Sequence, residues 1–224
     1  DRFHGLGLLN YRNPEATRDE VAKIRALGLK GVLMPSLPPG KVYFNSRKME
    51  GLWDGIEEGG LPLSFHVGET FDARGLGGLA TTIVVAFQPF RRLFSLLTFS
   101  GILERHPELR VVFTEGGIAW VPSCLFDSDR TYASFESEMN PRLAEKPSHY
   151  WRQNCYATFQ EDPSGLRQLD LMGWDRVMWA SDYPHPESTV GYTQQTLWDV
   201  FEATETPEQA QAIVGKTAVE LWGL

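Results

Sequence analysis

Three ionisable residues stand where short apolar runs stop. His66 closes the run LPLSFH and is followed by Val67-Gly68-Glu69. Glu115 follows LRVVFT and precedes two glycines, and Asp182 follows RVMWAS and precedes Tyr183-Pro184. If the fold gathers them, an imidazole and two carboxylates make a donor set for a hard or borderline divalent ion. Such an ion acidifies a water or polarises a carbonyl, and a neighbouring carboxylate then moves the proton. Each residue also has a plainer use alone. A strand-end histidine is often structural, Asp182 can cap a turn, and Glu115 can be an exposed loop residue. Their shared position is what argues for a joint role. His185, three residues past Asp182 in a proline-bounded loop, is held near the same place and is a candidate to contact substrate or carry protons. Trp120, five residues past Glu115, is a candidate pocket wall, with core packing the equal alternative. Glu69 ranks below Glu115 for reaching the same place. His106 in ERHPELR and His149 in PSHYWRQN are expected at the surface. His4 comes early in its strand and is expected at the opposite end of the fold.

For these residues to meet, the runs that carry them must be neighbouring parallel strands. Strands are predicted over 3–9, 30–34, the run ending at His66, 109–114, 155–159 and 176–180. Between them the pattern turns helical. Asn13-Pro14-Glu15 starts a helix carrying Val21, Ile24 and Leu27 at helical spacing, and Gly28 ends it. Weaker helical patterns cover 46–58 and 79–105, the latter interrupted at Gln88-Pro89. Others run to about 137 and over 163–172, and a capping box Thr206-Pro207-Glu208-Gln209 opens a last helix. Strands that read as nearly continuous apolar runs belong in a parallel sheet covered on both faces. A doubly wound sheet and most of a (β/α)8 barrel both fit. The former would usually carry a glycine-rich phosphate turn after its first strand, where this chain has NYRNPE. A barrel brings all strand exits to one mouth.

The 224 residues suit a single domain over 1–224, with 42% hydrophobic residues to fill a core. With 29 acidic against 21 basic residues, the net charge of −8 argues against a sequence-independent nucleic-acid binder. Cys124 and Cys155 build no disulfide framework and match no zinc spacing; a cytoplasmic setting is the expectation. The apolar stretch 79–87 is too short to span a bilayer, and no membrane association is expected.

Together, FHVGE, HPELRVVFTEGGIAWVP and VMWASDYPHPES, in this order, resemble the amidohydrolase-related family, in the branch typified by aminocarboxymuconate-semialdehyde decarboxylase. RFHGLGLLNYRNPEA and IVGKTAVELWGL are similar to that family's third-strand region and terminal helix, so the likeness covers essentially the whole chain. It implies an α/β fold, a (β/α)8 TIM-type barrel here lacking its first two β/α units. It also implies one divalent metal, zinc first and manganese as the alternative, with His66 and Asp182 as ligands beside a His-x-His pair from a first strand. That pair has no counterpart here. Glu115 stands where the family's decarboxylases carry a catalytic histidine, and a carboxylate must be perturbed upward to serve as an acid. The expected function is metal-dependent hydrolysis, or non-oxidative decarboxylation, of a small organic substrate, with Asp182 and Glu115 moving protons. His185 and Trp120 are expected to contact that substrate. The alternative is a non-catalytic scaffold with a decayed metal site. The family also implies a homo-oligomer, a dimer. An open arc of six strands would leave unpaired edges and an uncovered apolar interior, so the chain is expected either to be part of a longer polypeptide or to close by oligomerisation.

Overall fold

The computed structural model describes residues 3–36, 38, 40, 42–66, 73–86 and 88–224; Glu69 lies outside them. Six strands, β1 (Leu6–Leu8), β2 (Gly31–Pro35), β3 (Leu63–His66), β4 (Val111–Phe113), β5 (Cys155–Phe159) and β6 (Val177–Trp179), form one sheet in the order β1-β2-β3-β4-β5-β6. Every pairing is parallel and joins strands adjacent in sequence. A doubly wound sheet must reverse its strand order at a switch point. The unbroken order is that of a barrel wall, and it brings all six strand exits to one edge.

Helices α1 (Thr17–Ala26) and α2 (Glu50–Gly59) cover the first strands. Glycines let them close on each other: a Cβ on Gly59 would lie 2.2 Å from Val21 Cγ1, and one on Gly55 2.8 Å from Thr17 Cγ2. The helical region predicted over 79–105 is three pieces, α3 (Gly78–Val85), α4 (Gln88–Phe99) and α5 (Ile102–Arg105). Pro89 lies in the first turn of α4, where its missing N–H is tolerated. Gly101 separates α4 from α5 at φ 71. After α6 (Trp120–Phe135) comes α7 (Pro147–Asn154), inside a stretch that reads as polar. It buries Pro147, Tyr150, Trp151 and Asn154, an i, i+3, i+4, i+7 stripe masked by charged and polar neighbours. The helix expected over 163–172 is two short ones, α8 (Pro163–Leu166) and α9 (Leu169–Met172). α10 (Thr193–Ala203) was not expected. It buries only Thr196 and Val200, too narrow a stripe to read. The terminal helix divides into α11 (Pro207–Gln211) and α12 (Thr217–Trp222) around a π-helical segment at Ala212–Lys216.

The two faces of the sheet are built differently. The outer face packs aromatic side chains against the helices, with Trp151 stacked on Phe113 at 6.0 Å and Phe94 edge-on to Trp151 at 5.8 Å. The inner face holds a smaller cluster of Val112, Met178 and Leu221, with Tyr156, Ala218 and Trp222 against it. The interior is therefore not uncovered throughout, as the strand count alone suggests. α12 runs across the strand entries, where Lys30 Nζ donates to Gly223 O (2.9 Å) and Arg110 Nη1 to Leu221 O (3.4 Å). The strand edges do stay open: among the described residues neither β1 nor β6 has a second strand neighbour. Leu8 on β1 is 81% exposed, and Trp198 on α10 59%.

His106 departs from expectation. It is 3% exposed, because the end of α5 packs beneath α2. Its Nδ1 lies 3.0 Å from Glu57 Oε2 and its Nε2 3.3 Å from Glu50 Oε1. Arg105 grips both oxygens of Glu50, and that hydrogen-bonded guanidinium holds the Glu50 carboxyl below its usual range. His149 and His4 are exposed. No helix among the described residues is long and apolar enough to cross a membrane.

If α12 seals the inner face, removing its main anchor leaves a cavity that the sheet cannot refill. Leu221→Ala is expected to cost about 2–5 kcal/mol, read as a lower urea midpoint with an unchanged slope.

Candidate functional site

His66 is the last residue of β3, and its backbone carbonyl accepts from Ser36 N at 2.9 Å. Strand alternation puts it on the same inner face as Ser64, whose register partner is the inner-cluster residue Val112. Glu115 follows β4 by two residues and turns back toward the sheet: its N–H donates to Thr158 Oγ1 on β5 at 2.7 Å. Its φ of 69 lies in the left-handed region, which costs an L-residue about 1 kcal/mol. Asp182 shares that backbone state, with φ 59. The loop after it is a closed turn. His185 N donates to Asp182 O (2.9 Å), Ser188 N to His185 O (3.0 Å) and Thr189 N to Ser181 O (3.0 Å).

These turns bring the side chains together. His66 Nε2 and Glu115 Oε2 are 2.6 Å apart, and His185 Nδ1 lies 3.5 Å from Asp182 Oδ2. One donor atom each from Glu115, Asp182 and His185 falls within 4.8 Å of the others. Asp182 Oδ2 is buried and accepts no hydrogen bond, an orphaned acceptor that needs a cation or a proton. Two carboxylates and an imidazole suit a divalent ion of the zinc or manganese kind, so these residues fit a metal. Four of the five residues singled out from the sequence thus meet at one mouth. Trp120 does not join them. Its Nε1 donates to Gly117 O at 3.1 Å, and its ring packs edge-on to Phe113 and Trp151 among the outer-face aromatics. The cysteines offer no competing nucleophile, since both are buried and burial pushes both thiols up.

Two residues that hold the site escaped the sequence reading. Asp162 accepts through Oδ2 from Ile118 N (2.7 Å) and Ala119 N (2.8 Å), and through Oδ1 from Gly165 N (2.7 Å). It therefore ties the start of α8 to the turn that carries Glu115. At Gly117, with φ 65, a Cβ would come within 3.0 Å of that carboxylate. The Asp-Pro pair is a helix-start signal, but nothing in one dimension says that its second oxygen binds the neighbouring loop. Thr158, the other support, sits in an ordinary strand sequence.

A family model described as Amidohydrolase matches residues 1–224. The chain belongs to that family. It is 25% identical over 233 residues to 2-amino-3-carboxymuconate-6-semialdehyde decarboxylase of Dictyostelium discoideum, covering all of this chain and 62% of the relative. Among solved structures, 5-carboxyvanillate decarboxylase from Sphingomonas paucimobilis superposes with a TM-score of 0.82 at 24% identity, over 100% of this chain and 67% of that one. The Novosphingobium aromaticivorans 5-carboxyvanillate decarboxylase with bound manganese gives 0.81 at 22%, over 100% and 66%. The fold is thus a partial TIM barrel of the amidohydrolase superfamily, and this chain spans about 62% of the length of the curated relative it matches.

If Asp162 holds the Glu115 turn, Asp162→Ala leaves three N–H groups without their acceptor. It is expected to cost at least about 2 kcal/mol in urea unfolding, with faster amide exchange at Ile118 and Ala119 and Asp162→Asn falling between.

Proposed function

We propose that this chain carries the catalytic face of a metal-dependent carbon–carbon lyase that decarboxylates a small aromatic or unsaturated acid. The observation that carries the reading is the 2.6 Å pair of His66 and Glu115 beside Asp182 and His185. The printed activities of the relatives, decarboxylation of carboxymuconate semialdehyde and of carboxyvanillate, support the reaction class. Zinc and manganese are both proposed, manganese because several superposed structures contain it.

When bound, the ion would supply charge that polarises substrate oxygens; Asp182 is the residue expected to hold it. The remaining work belongs to the side chains. A carboxylate at position 115 is a poor proton source alone, and the imidazole against it answers that difficulty. The proton held between His66 Nε2 and Glu115 Oε2 passes to the substrate carbon as the bond to the carboxylate breaks. That bond's electron pair forms the new C–H bond, and carbon dioxide leaves. His185, half-exposed beside Asp182, stands where substrate would meet the site. The turn hydrogen bonds of Thr158 and Asp162 keep Glu115 aimed, which is positioning.

Hydrolysis of a small amide or ester is the second reading. Asp182 favours it, since an oxygen without a hydrogen-bond donor is suited to take a proton from an attacking water. Metal analysis of the purified chain, with a carbon dioxide trap over dihydroxybenzoate-type and carboxymuconate-type acids, separates the readings. About one zinc or manganese per chain and trapped carbon dioxide are expected. Glu115→Gln is expected to lose about 100-fold in rate while its metal content is measured in parallel. Ester or amide cleavage without carbon dioxide would move the assignment to the hydrolase reading. A chain with neither metal nor turnover would be the scaffold. The proposal also has the chain self-associate through the open edges β1 and β6. Sedimentation at micromolar concentration is expected to show a dimer, and a well-behaved monomer would count against it.

A further inference from the structure

We propose that His106 is a buried imidazolium that clasps α2 to the turn leading into β4, and that the clasp loosens when the ring loses its second proton. The chemistry at the strand exits does not use this residue, which lies at the opposite end of β4 from Glu115.

The hydrogen bonds of the ring carry the inference. A neutral imidazole has one N–H and one lone pair, whereas an imidazolium donates from both nitrogens. Both nitrogens of His106 end on carboxylate oxygens, Nδ1 on Glu57 Oε2 at 3.0 Å and Nε2 on Glu50 Oε1 at 3.3 Å. A neutral ring would aim its lone pair at an anion in one of these contacts. Glu50 is held as an anion by Arg105, whose Nε and Nη2 donate to its two oxygens at 2.7 and 3.0 Å. Glu57 uses its other oxygen, Oε1, to accept from Glu108 N at 2.8 Å. The contact between His106 and Glu57 therefore needs a proton that a neutral ring between two carboxylates does not supply.

The charges facing the ring favour the cation. α2 brings Glu50, Glu57 and Asp54, the last with Oδ1 3.9 Å from Nδ1. The guanidinium of Arg105 is already spent on Glu50. Arg18 of α1 reaches Asp54 at 3.8 Å but pairs closely with Glu58 at 2.6 Å. Arg110 donates to the carbonyls of Gly60 and Leu221, and α7 offers the uncharged Asn154. Burial of the ring, which is 3% exposed, opposes a charge. It also keeps water from replacing a lost hydrogen bond, and three carboxylates against one committed guanidinium make the ring proton the balancing charge.

The turn is gripped from two sides. Asn154 Nδ2 donates to His106 O, Pro107 O and Leu109 O at 3.2, 3.2 and 2.8 Å. Those bonds do not titrate, whereas the ring bonds to α2 do. Loss of the proton loosens α2 while the turn stays fixed to α7.

Nitrogen NMR of the full chain, labelled at its histidine rings, reads the ring directly. At about pH 7 His106 is expected to show two protonated nitrogens, identified by their loss in His106→Gln. A single protonated nitrogen on that ring would overturn the proposal. Urea unfolding gives a second readout. A proton bound more firmly in the folded than in the unfolded chain stabilises at low pH, and that stability is lost as the pH rises. The advantage of the unsubstituted chain over His106→Gln is therefore expected to fall about tenfold in unfolding constant between about pH 6 and about pH 9. An advantage that stays constant over this range would also overturn it. Where His106→Gln does not fold, Glu57→Gln, at a side chain 21% exposed, takes its place. It is expected to cost the same ring its second proton, and histidine signals unchanged by Glu57→Gln would sink the clasp.

Discussion

Every β-to-α connection in this chain leaves from the same edge of the sheet, because all six strands are parallel and each pairs only with its neighbours in sequence. That constraint, a consequence of strand twist and right-handed crossovers, is what allows residues as distant as His66 and His185 to share a mouth. The exits of β3, β4 and β6 supply the ionisable groups that meet there. The exit of β5, between the last two, supplies Thr158 and Asp162 to hold them. Support and chemistry thus come from adjacent strands, and a change in strand order would separate them.

The sheet separates packing from polarity. Outward side chains on β3 and β4, Phe65 and Phe113, join an aromatic core with Trp151 and Phe94. Inward ones are smaller or polar: Ser64, Val112, Thr158. The inner face has only a modest apolar cluster, completed by Leu221 and Trp222 from α12. Rigidity is therefore supplied mainly from outside. The inner face carries polar oxygens without protein partners at Ser64 and Thr114. Buried acceptors and donors of this kind are costly unless something satisfies them.

The glutamate at position 115 illustrates how a replaced group is accommodated. Where a histidine would offer its own proton, a carboxylate here lies 2.6 Å from the imidazole of the preceding strand. In the proposed reaction the pair keeps an imidazole in the proton path while adding a carboxylate at the mouth.

Much of this was legible in one dimension. Apolar runs ended by His66, Glu115 and Asp182 marked strands and their exits, because a strand buried on both faces must be apolar until it leaves the sheet. The signals at Gly28 and Thr206 marked helix ends, because backbone conformation at a cap is a local matter. The sequence determined the fold class, the family and four of the residues at the mouth. Tertiary structure decided the rest. His106 reads as a surface histidine and is buried by two carboxylates of α2 that lie about fifty residues earlier in the chain. Trp120 reads equally as wall or core and is used to pack Phe113. The second oxygen of Asp162 binds a loop more than forty residues earlier. Pairings between side chains far apart in sequence leave no periodic trace. They arise only when strand register and turn geometry bring the partners within reach of a hydrogen bond.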